Sequence, residues 1–262
     1  MKNKTHSELN RNLRTLRLPA MLDGYREQAA LARKESLTYE HFLFELTECE
    51  LEGRRENRIA RYLKESKLPL EKSLANFDRK RLPQKVNAQL SVLLDGSFLS
   101  RTENILAFGN PGSGKTHLLC ALGQELIYQE HRVLFTSCSL LVQEMLTAKR
   151  DLKLPAYLKK IAKYEALIID DIGYVQQDRQ EMEVLFTLLA DRYERASLMI
   201  SSNLPFSQWE KIFKDPMTTA AAIDRLVHHS VILELNLPSY RLEQSQKTKG
   251  QKEKITEDTV LG

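Results

Sequence analysis

The sequence predicts an α/β fold in which a parallel five-stranded sheet with flanking helices follows a small all-helical N-terminal domain. Three observations lead there. From Arg101 onward, short apolar runs alternate with longer helical patterns, as βαβ units and a parallel sheet require. A glycine-rich loop, Gly109–Thr116, joins the first such run to the first such helix, so strand, loop and helix N-terminus follow one another directly. Residues 5–67, by contrast, carry their apolar residues at helical spacing.

In the N-terminal part, Leu9, Leu13, Leu16, Met21 and Leu22 recur as on a helix face, and Pro19 with Asp23-Gly24 behind it marks a break between two helices. Thr38 is a candidate N-cap for a third helix, with His41 at the position where a capping box has Glu or Gln. Phe42, Leu43, Leu46, Cys49 and Ile59 form its apolar stripe. Residues 1–67 are therefore expected to be one helical domain used for oligomerisation or partner docking. Residues 68–100 read as a connector punctuated by Pro69 and Pro83, too apolar for a free linker, with a short helical pattern from Val86 to Leu94. The α/β domain is expected over 101–243. Its strands are predicted at 104–108, 132–136, 166–170, 197–201 and 230–235, with helical segments at 117–129, 139–163, 178–195 and 206–227. The polar, lysine-rich residues 244–262 are expected to be a disordered tail.

Composition sets outer limits. The 262 residues are 42% hydrophobic and 28% charged, the balance of an ordinary globular protein. No stretch approaches the roughly 18 consecutive apolar residues of a membrane span, and no apolar core follows the first charged residues as in a secretory signal. Cys49, Cys120 and Cys138 are odd in number and far apart, which fits buried thiols in a reducing cytoplasm better than disulfides or a zinc site. His228-His229 is the one close histidine group, with no neighbouring metal-ligand spacing. The net charge of +4 says little about partners, although Arg54, Arg55, Arg58, Arg61, Lys64 and Lys67 make a local excess over Glu56 and Glu65.

The chemistry concentrates in Gly109-Asn110-Pro111-Gly112-Ser113-Gly114-Lys115-Thr116, which fills the pattern G-x-x-x-x-G-K-[ST] and is followed by His117. Glycines allow the backbone to turn its N–H groups onto phosphate oxygens at a helix N-terminus. Lys115 supplies a mobile positive charge for the β- and γ-phosphates, and Thr116 a hydroxyl for Mg²⁺. The chain is thus predicted to bind a nucleoside triphosphate.

Leu167-Ile168-Ile169-Asp170-Asp171 is an apolar run ending in acids, as expected of a buried parallel strand that delivers carboxylates to the sheet's C-terminal edge. Asp170 is placed to complete the metal site begun by Thr116, and Asp171 to orient or deprotonate the attacking water. Aspartate is a methylene shorter than the glutamate common at this second position, and water positioning is sensitive to about an ångström, so slow hydrolysis is expected. Asn203, after the next apolar strand, is placed to bridge that water and the γ-phosphate, or to cap the segment before Pro205. Arg225 is either an arginine finger for a neighbouring subunit or the partner of a nearby acid such as Asp224. Arg241, after the last strand, either contacts phosphate or is a surface arginine.

In order and spacing, G-N-P-G-S-G-K-T-H, L-I-I-D-D-I-G, S-S-N-L and the D-R-L box resemble AAA+ ATPases of the DnaA/DnaC/IstB group. Leu13–Met21, Leu37–Leu43, Glu52–Arg58 and Asn76-Phe77-Asp78 are similar to the N-terminal region of IstB proteins, the helper ATPases encoded beside the transposase of certain bacterial insertion sequences. The resemblance covers nearly all of residues 9–245. It implies ATP and Mg²⁺ as cofactors, a homo-oligomer in which one subunit supplies Arg225 to the next, double-stranded DNA as a partner, and recruitment or activation of a transposase. It also matches residues 139–163 to the helical insert of the family. There Lys149, Arg150, Lys153, Lys159, Lys160 and Lys163 face only Glu144 and Asp151, either as a sequence-tolerant grip on phosphates or as a solvated helix face. Phe77 is a candidate for the adenine. The alternatives are a DnaC-type helicase loader, a small-molecule P-loop kinase, and a module that holds ATP without hydrolysing it.

Overall fold

The computed structural model describes residues 2–173, 179–213 and 215–240, and the chain divides into two compact units between Arg61 and Tyr62. In the first unit, α1 (Lys2–Thr15) and α2 (Pro19–Glu35) are followed by α3 (Tyr39–Glu65), whose last residues belong to the second unit. Pro19 opens α2, where its missing N–H costs nothing, and α2 continues through Asp23-Gly24, so those two residues do not interrupt the helix. The Thr38 hydroxyl accepts the N–H of His41 at 3.2 Å, the expected cap. Glu50 is buried on α3 and accepts from the backbone N–H groups of Ala20 and Met21 (2.9 and 3.2 Å) at the open N-terminus of α2, while Arg54 donates to its other oxygen at 2.9 Å. A carboxylate at a helix N-terminus satisfies orphan donors and the helix dipole together.

After the end of α3 the second unit continues with the region expected to be a connector. It contains a 3₁₀ turn at Arg79–Arg81, α4 (Gln84–Leu93) and α5 (Ser97–Ser100), and buries Leu68, Leu82, Val86, Leu90, Leu93 and Phe98. Gln89 of α4 donates to the Ile232 carbonyl at 3.2 Å, pinning this segment to the sheet.

The remaining elements alternate: β1 (Asn104–Gly109), α6 (Lys115–Tyr128), β2 (Val133–Ser137), α7 (Cys138–Arg150), α8 (Leu154–Ile161), β3 (Ala166–Asp170), α9 (Arg179–Arg192), β4 (Ser197–Ser202), α10 (Glu210–Phe213), α11 (Pro216–Val227) and β5 (Ser230–Leu235). All five strands are parallel, in the order β2-β3-β4-β1-β5. Continuous apolar runs such as Ile105-Leu106-Ala107 and Ala166-Leu167-Ile168-Ile169 are fully buried because helices cover both faces of a parallel sheet. The five strands fall where the sequence predicts them, and the α/β class with a helical N-terminal region is as expected.

Two helical expectations need correction. The segment 139–163 is two helices, interrupted at residues 151–153. Leu152 there takes a left-handed conformation (φ 57°), and Pro155 sits in the first turn of α8. The segment 206–227 is a 3₁₀ turn at Phe206–Gln208 and two helices. Pro216 opens α11, and the Asp215 carboxylate caps it by accepting the Thr218 N–H at 2.6 Å. Apolar residues continue at helical spacing through both interruptions, so periodicity alone reads each as one helix.

At the sheet's N-terminal edge, buried Asn104 receives the Leu198 N–H at 2.9 Å and donates to the Leu226 carbonyl at 3.1 Å, joining β1, β4 and the end of α11. Arg192 is also buried. It donates to the carbonyls of Tyr164 (3.0 Å) and Ser197 (3.1 Å), and removal from water lowers its pKa to about 10.

Candidate nucleotide site

The site lies at the C-terminal edge of the sheet, where β1, β3 and β4 end side by side. Gly109–Thr116 leaves β1 and turns directly into α6, so the first N–H groups of that helix face the loop's concavity. Gly112 has φ 79°, and a Cβ there would run into the Ser239 side chain, so the position demands glycine twice over. The segment that follows β5 packs on the loop, with the Tyr240 N–H donating to the Gly112 carbonyl at 3.0 Å.

One pocket is lined by Pro111, Gly112, Ser113, Gly114, Lys115, Thr116 and His117 of the loop and helix start, by Asp171 and Asn203, by Lys72, Asn76, Phe77, Asp78 and Arg81, and by Leu237 and Tyr240. Gly109 and Asn110 do not line it, but their carbonyls accept from the Lys115 ammonium at 2.8 and 3.0 Å. Phe77 meets His117 edge-on with ring centroids 5.0 Å apart, and the His117 Nε2 lies 2.9 Å from the Ser73 carbonyl oxygen. This aromatic corner is a flat, partly apolar wall beside the phosphate loop. On the other side, the Arg81 guanidinium sits 5.0 Å from the Tyr240 ring centroid.

The carboxylates follow from strand register. Ile169 of β3 pairs with Ile200 of β4, which brings Asp170 level with Ser201. Thr116 Oγ1 donates to Asp170 Oδ1 at 2.8 Å, so the loop's hydroxyl and the carboxylate expected to share a cation are in contact. Asp171 has φ 58°, a conformation that costs a non-glycine residue roughly 1–3 kcal/mol. Its own N–H donates to Ser201 Oγ at 2.8 Å, and the next N–H, of Ile172, donates to the Ser201 carbonyl at 3.1 Å. Two such bonds at about 1 kcal/mol each offset a cost of the same order. Asn203 approaches from β4, with its side-chain oxygen buried against Gly173, where a Cβ would collide with it.

These residues fit a triphosphate with Mg²⁺. Ser113 Oγ and Asn203 Oδ1 are buried without a hydrogen-bond partner, and both residues line the pocket with Lys115 and Thr116. Polar atoms left unmatched inside a cleft await a ligand or a bound water. Thr116 and Asp170 offer hard oxygen ligands, the donor type Mg²⁺ takes.

Residues 11–248 match the family model described as IstB-like ATP binding protein. The chain belongs to that family. An insertion-sequence ATP-binding protein of Sinorhizobium fredii is 42% identical over 238 residues, 90% of this chain and 80% of the relative. The IS21 ATP-binding protein of Pseudomonas aeruginosa is 38% identical over 224 residues, 84% of this chain and 82% of the relative. Among solved structures, the DnaC helicase loader matches with a TM-score of 0.52 at 16% identity, covering 66% of this chain and 98% of that one. AMPPCP-bound DnaA from Aquifex aeolicus matches with a TM-score of 0.52 at 20% identity, covering 73% and 56%. These two likenesses show the fold.

The remaining predicted residues lie elsewhere. Arg225 of this IstB-family chain does not line the pocket. Its guanidinium stands 4.5 Å from the Phe186 ring centroid, its Nη1 is buried without a hydrogen-bond partner, and it makes no ion pair among the described residues. Arg241 lies outside the described residues, as does the tail from 244 to 262. In the basic group, Lys149 is bound to Glu183 of α9 at 2.8 Å and Arg150 approaches Asp151 at 4.0 Å, while Lys153, Lys159 and Lys160 are exposed on and beside α8. Cys120 and Cys138 are buried free thiols, and Cys49 is half-buried. His228 and His229 gain a neighbour the sequence spacing does not show: the Glu194 carboxylate joins them within 4.8 Å in an exposed group, and Tyr193 contacts His228 Nδ1 at 3.2 Å. Among the described residues no helix is long and apolar enough to cross a membrane.

Ser201, Arg81 and Tyr240 are the residues that the sequence does not single out. Ser201 lies near the end of β4, and its place beside Asp170 depends on the register of β4 with β3. Arg81 and Tyr240 are distant in sequence from the phosphate loop and come to its pocket only through folding.

Proposed function

We propose that this chain is an ATP-dependent DNA-binding transposition helper that assembles on target DNA and recruits or activates its transposase. The observation that carries the ATP-dependent part of the reading is the contact between Thr116 and Asp170, which joins the phosphate loop to the acidic strand end as a hydrolytic nucleotide site requires. Lys115 exchanges its hold on the loop carbonyls for the β- and γ-phosphates. Thr116 and Asp170 would hold Mg²⁺, which would supply charge neutralisation to the phosphates. Asp171 and Asn203 orient the attacking water, and the shorter reach of Asp171 makes turnover slow. Phe77 and His117 provide a wall for the base.

Arg225 acts in the site of a neighbouring subunit. Its absence from its own pocket and its lack of an ion pair among the described residues support that role, because a salt-bridge role would leave it beside an acid. The exposed Lys153, Lys159 and Lys160 grip DNA phosphates without reading bases. The relatives at 42% and 38% identity are insertion-sequence proteins, whereas the likeness to the helicase loader is one of fold. This favours the transposition reading. Binding of the purified chain to random-sequence duplex, measured with ATP, ADP and no nucleotide, tests it. ATP-dependent binding with steep salt dependence is expected, and nucleotide-independent binding would contradict it.

A further inference from the structure

Ser201 is completely buried and stands between the phosphate-loop strand and the acidic strand. It pairs with Ala107 of β1 on one side and, by the register of Ile200 with Ile169, lies level with Asp170 of β3 on the other. Its hydroxyl donates to Asp170 Oδ1 at 2.6 Å and accepts the Asp171 N–H at 2.8 Å. One hydroxyl therefore contacts both members of the acidic pair. It meets the side chain of the first and the backbone of the second. Thr116 donates to the same Oδ1 at 2.8 Å, so two hydroxyls converge on one carboxylate oxygen.

We propose that Ser201 is the positioning residue that fixes both acids, setting the direction in which Asp170 offers its carboxylate to the cation and holding Asp171 in its left-handed turn. The inference rests on the nucleotide reading above. Hydrogen bonds to an ionised acceptor are short and directional, and two of them on one oxygen remove the carboxylate's freedom to rotate. Thr116 is itself a candidate ligand, so its hydroxyl has a second task. Ser201 has none and is shielded from water. Partners of this kind, one step behind a metal ligand, typically change metal affinity by about 10–100-fold when removed. On the Asp171 side, losing the acceptor frees an N–H in a strained turn, which then relaxes away from φ 58°.

The test is the Mg²⁺ concentration at which a fluorescent ATP analogue reaches half-maximal binding, read by anisotropy in the full chain, with Mg²⁺-free binding measured alongside. For Ser201→Ala we expect Mg²⁺-free affinity within about twofold of wild type and a Mg²⁺ midpoint raised about tenfold or more. Ser201→Thr, which keeps the hydroxyl, should restore most of the shift. Ser201→Cys, a weaker donor of similar shape, should fall between and serves if the alanine variant does not fold. An unmoved midpoint in the folded variants, or an equal loss of Mg²⁺-free binding, would overturn the role of Ser201 alone. A wild-type chain that binds no ATP analogue at any Mg²⁺ concentration would overturn the nucleotide reading instead.

Discussion

The hydroxyl of Thr116, at the start of α6, donates to the carboxylate of Asp170, at the end of β3, over 2.8 Å. This contact brings the phosphate loop and the acidic strand end together, and Lys115 stands directly before Thr116 on α6. Lys115→Ala should lose ATP binding by about ten- to a hundredfold, as removal of a charged contact worth about 1.5–3 kcal/mol implies. Isothermal titration with ATP and Mg²⁺ checks this, with circular dichroism confirming the fold.

Asp171→Asn should keep nucleotide affinity and lose hydrolysis by about 10²-fold or more, the usual contribution of a group that orients or deprotonates water. Asp171→Glu should support at least wild-type turnover, because the longer side chain reaches the water the aspartate only approaches. A phosphate-release assay on both variants separates orientation from binding.

Arg225→Ala should bind ATP normally and hydrolyse it about 10³-fold more slowly, the low end for a finger supplied in trans. Mixing it with Lys115→Ala should regain activity, since mixed assemblies contain junctions with one intact loop and one intact arginine. Turnover measured across mixing ratios reads this directly, and a flat response would return Arg225 to its place above Phe186 as packing alone.

How far these roles are legible in the sequence varies with the kind of residue. Gly109–Thr116 and Asp170-Asp171 are legible because each lies at the end of an apolar strand-length run, and a parallel sheet gathers such ends at one edge. Ser201 is not, because its hydroxyl matters only through the register of β3 with β4, a non-local pairing that no local pattern encodes. The break at Leu152 is hidden for a different reason: Pro155 fits the first turn of a new helix as well as it ends an old one. Lys149 shows the limit of charge counting. It belongs to a basic run in the sequence, yet the fold places Glu183 of α9 against it.

That pairing sharpens the expectation for DNA. Neutralising Lys153, Lys159 and Lys160 together should lower duplex affinity and flatten its salt dependence by about 0.9 in log–log slope for each phosphate that no longer meets a lysine. Neutralising Lys149 alone should change the slope little, because Glu183 already balances its charge. Anisotropy titrations between low and moderate salt give both slopes.

Burial also sets a pH response. The Cys120 thiol is pushed from 9.0 up to about 12 by loss of hydration, and burial with the nearby Glu144 carboxylate likewise raises the Tyr157 hydroxyl. In both groups the folded state holds its proton more tightly than the unfolded state. Their stabilising effect is therefore complete below about pH 9 and is lost as pH rises toward 12. Thermal melts should fall steadily above pH 9, and iodoacetamide at pH 8 should modify half-buried Cys49 while Cys120 and Cys138 stay unreacted.

If the nucleotide at Gly109–Thr116 controls assembly on DNA, the assembly itself must change with the nucleotide. Electron microscopy of the wild-type chain with duplex DNA under ATP and under ADP, with Lys115→Ala alongside, shows this without an intermediate assay. Ordered assemblies on DNA are expected with wild type and ATP only. The same assemblies with ADP, or with Lys115→Ala, would contradict nucleotide control.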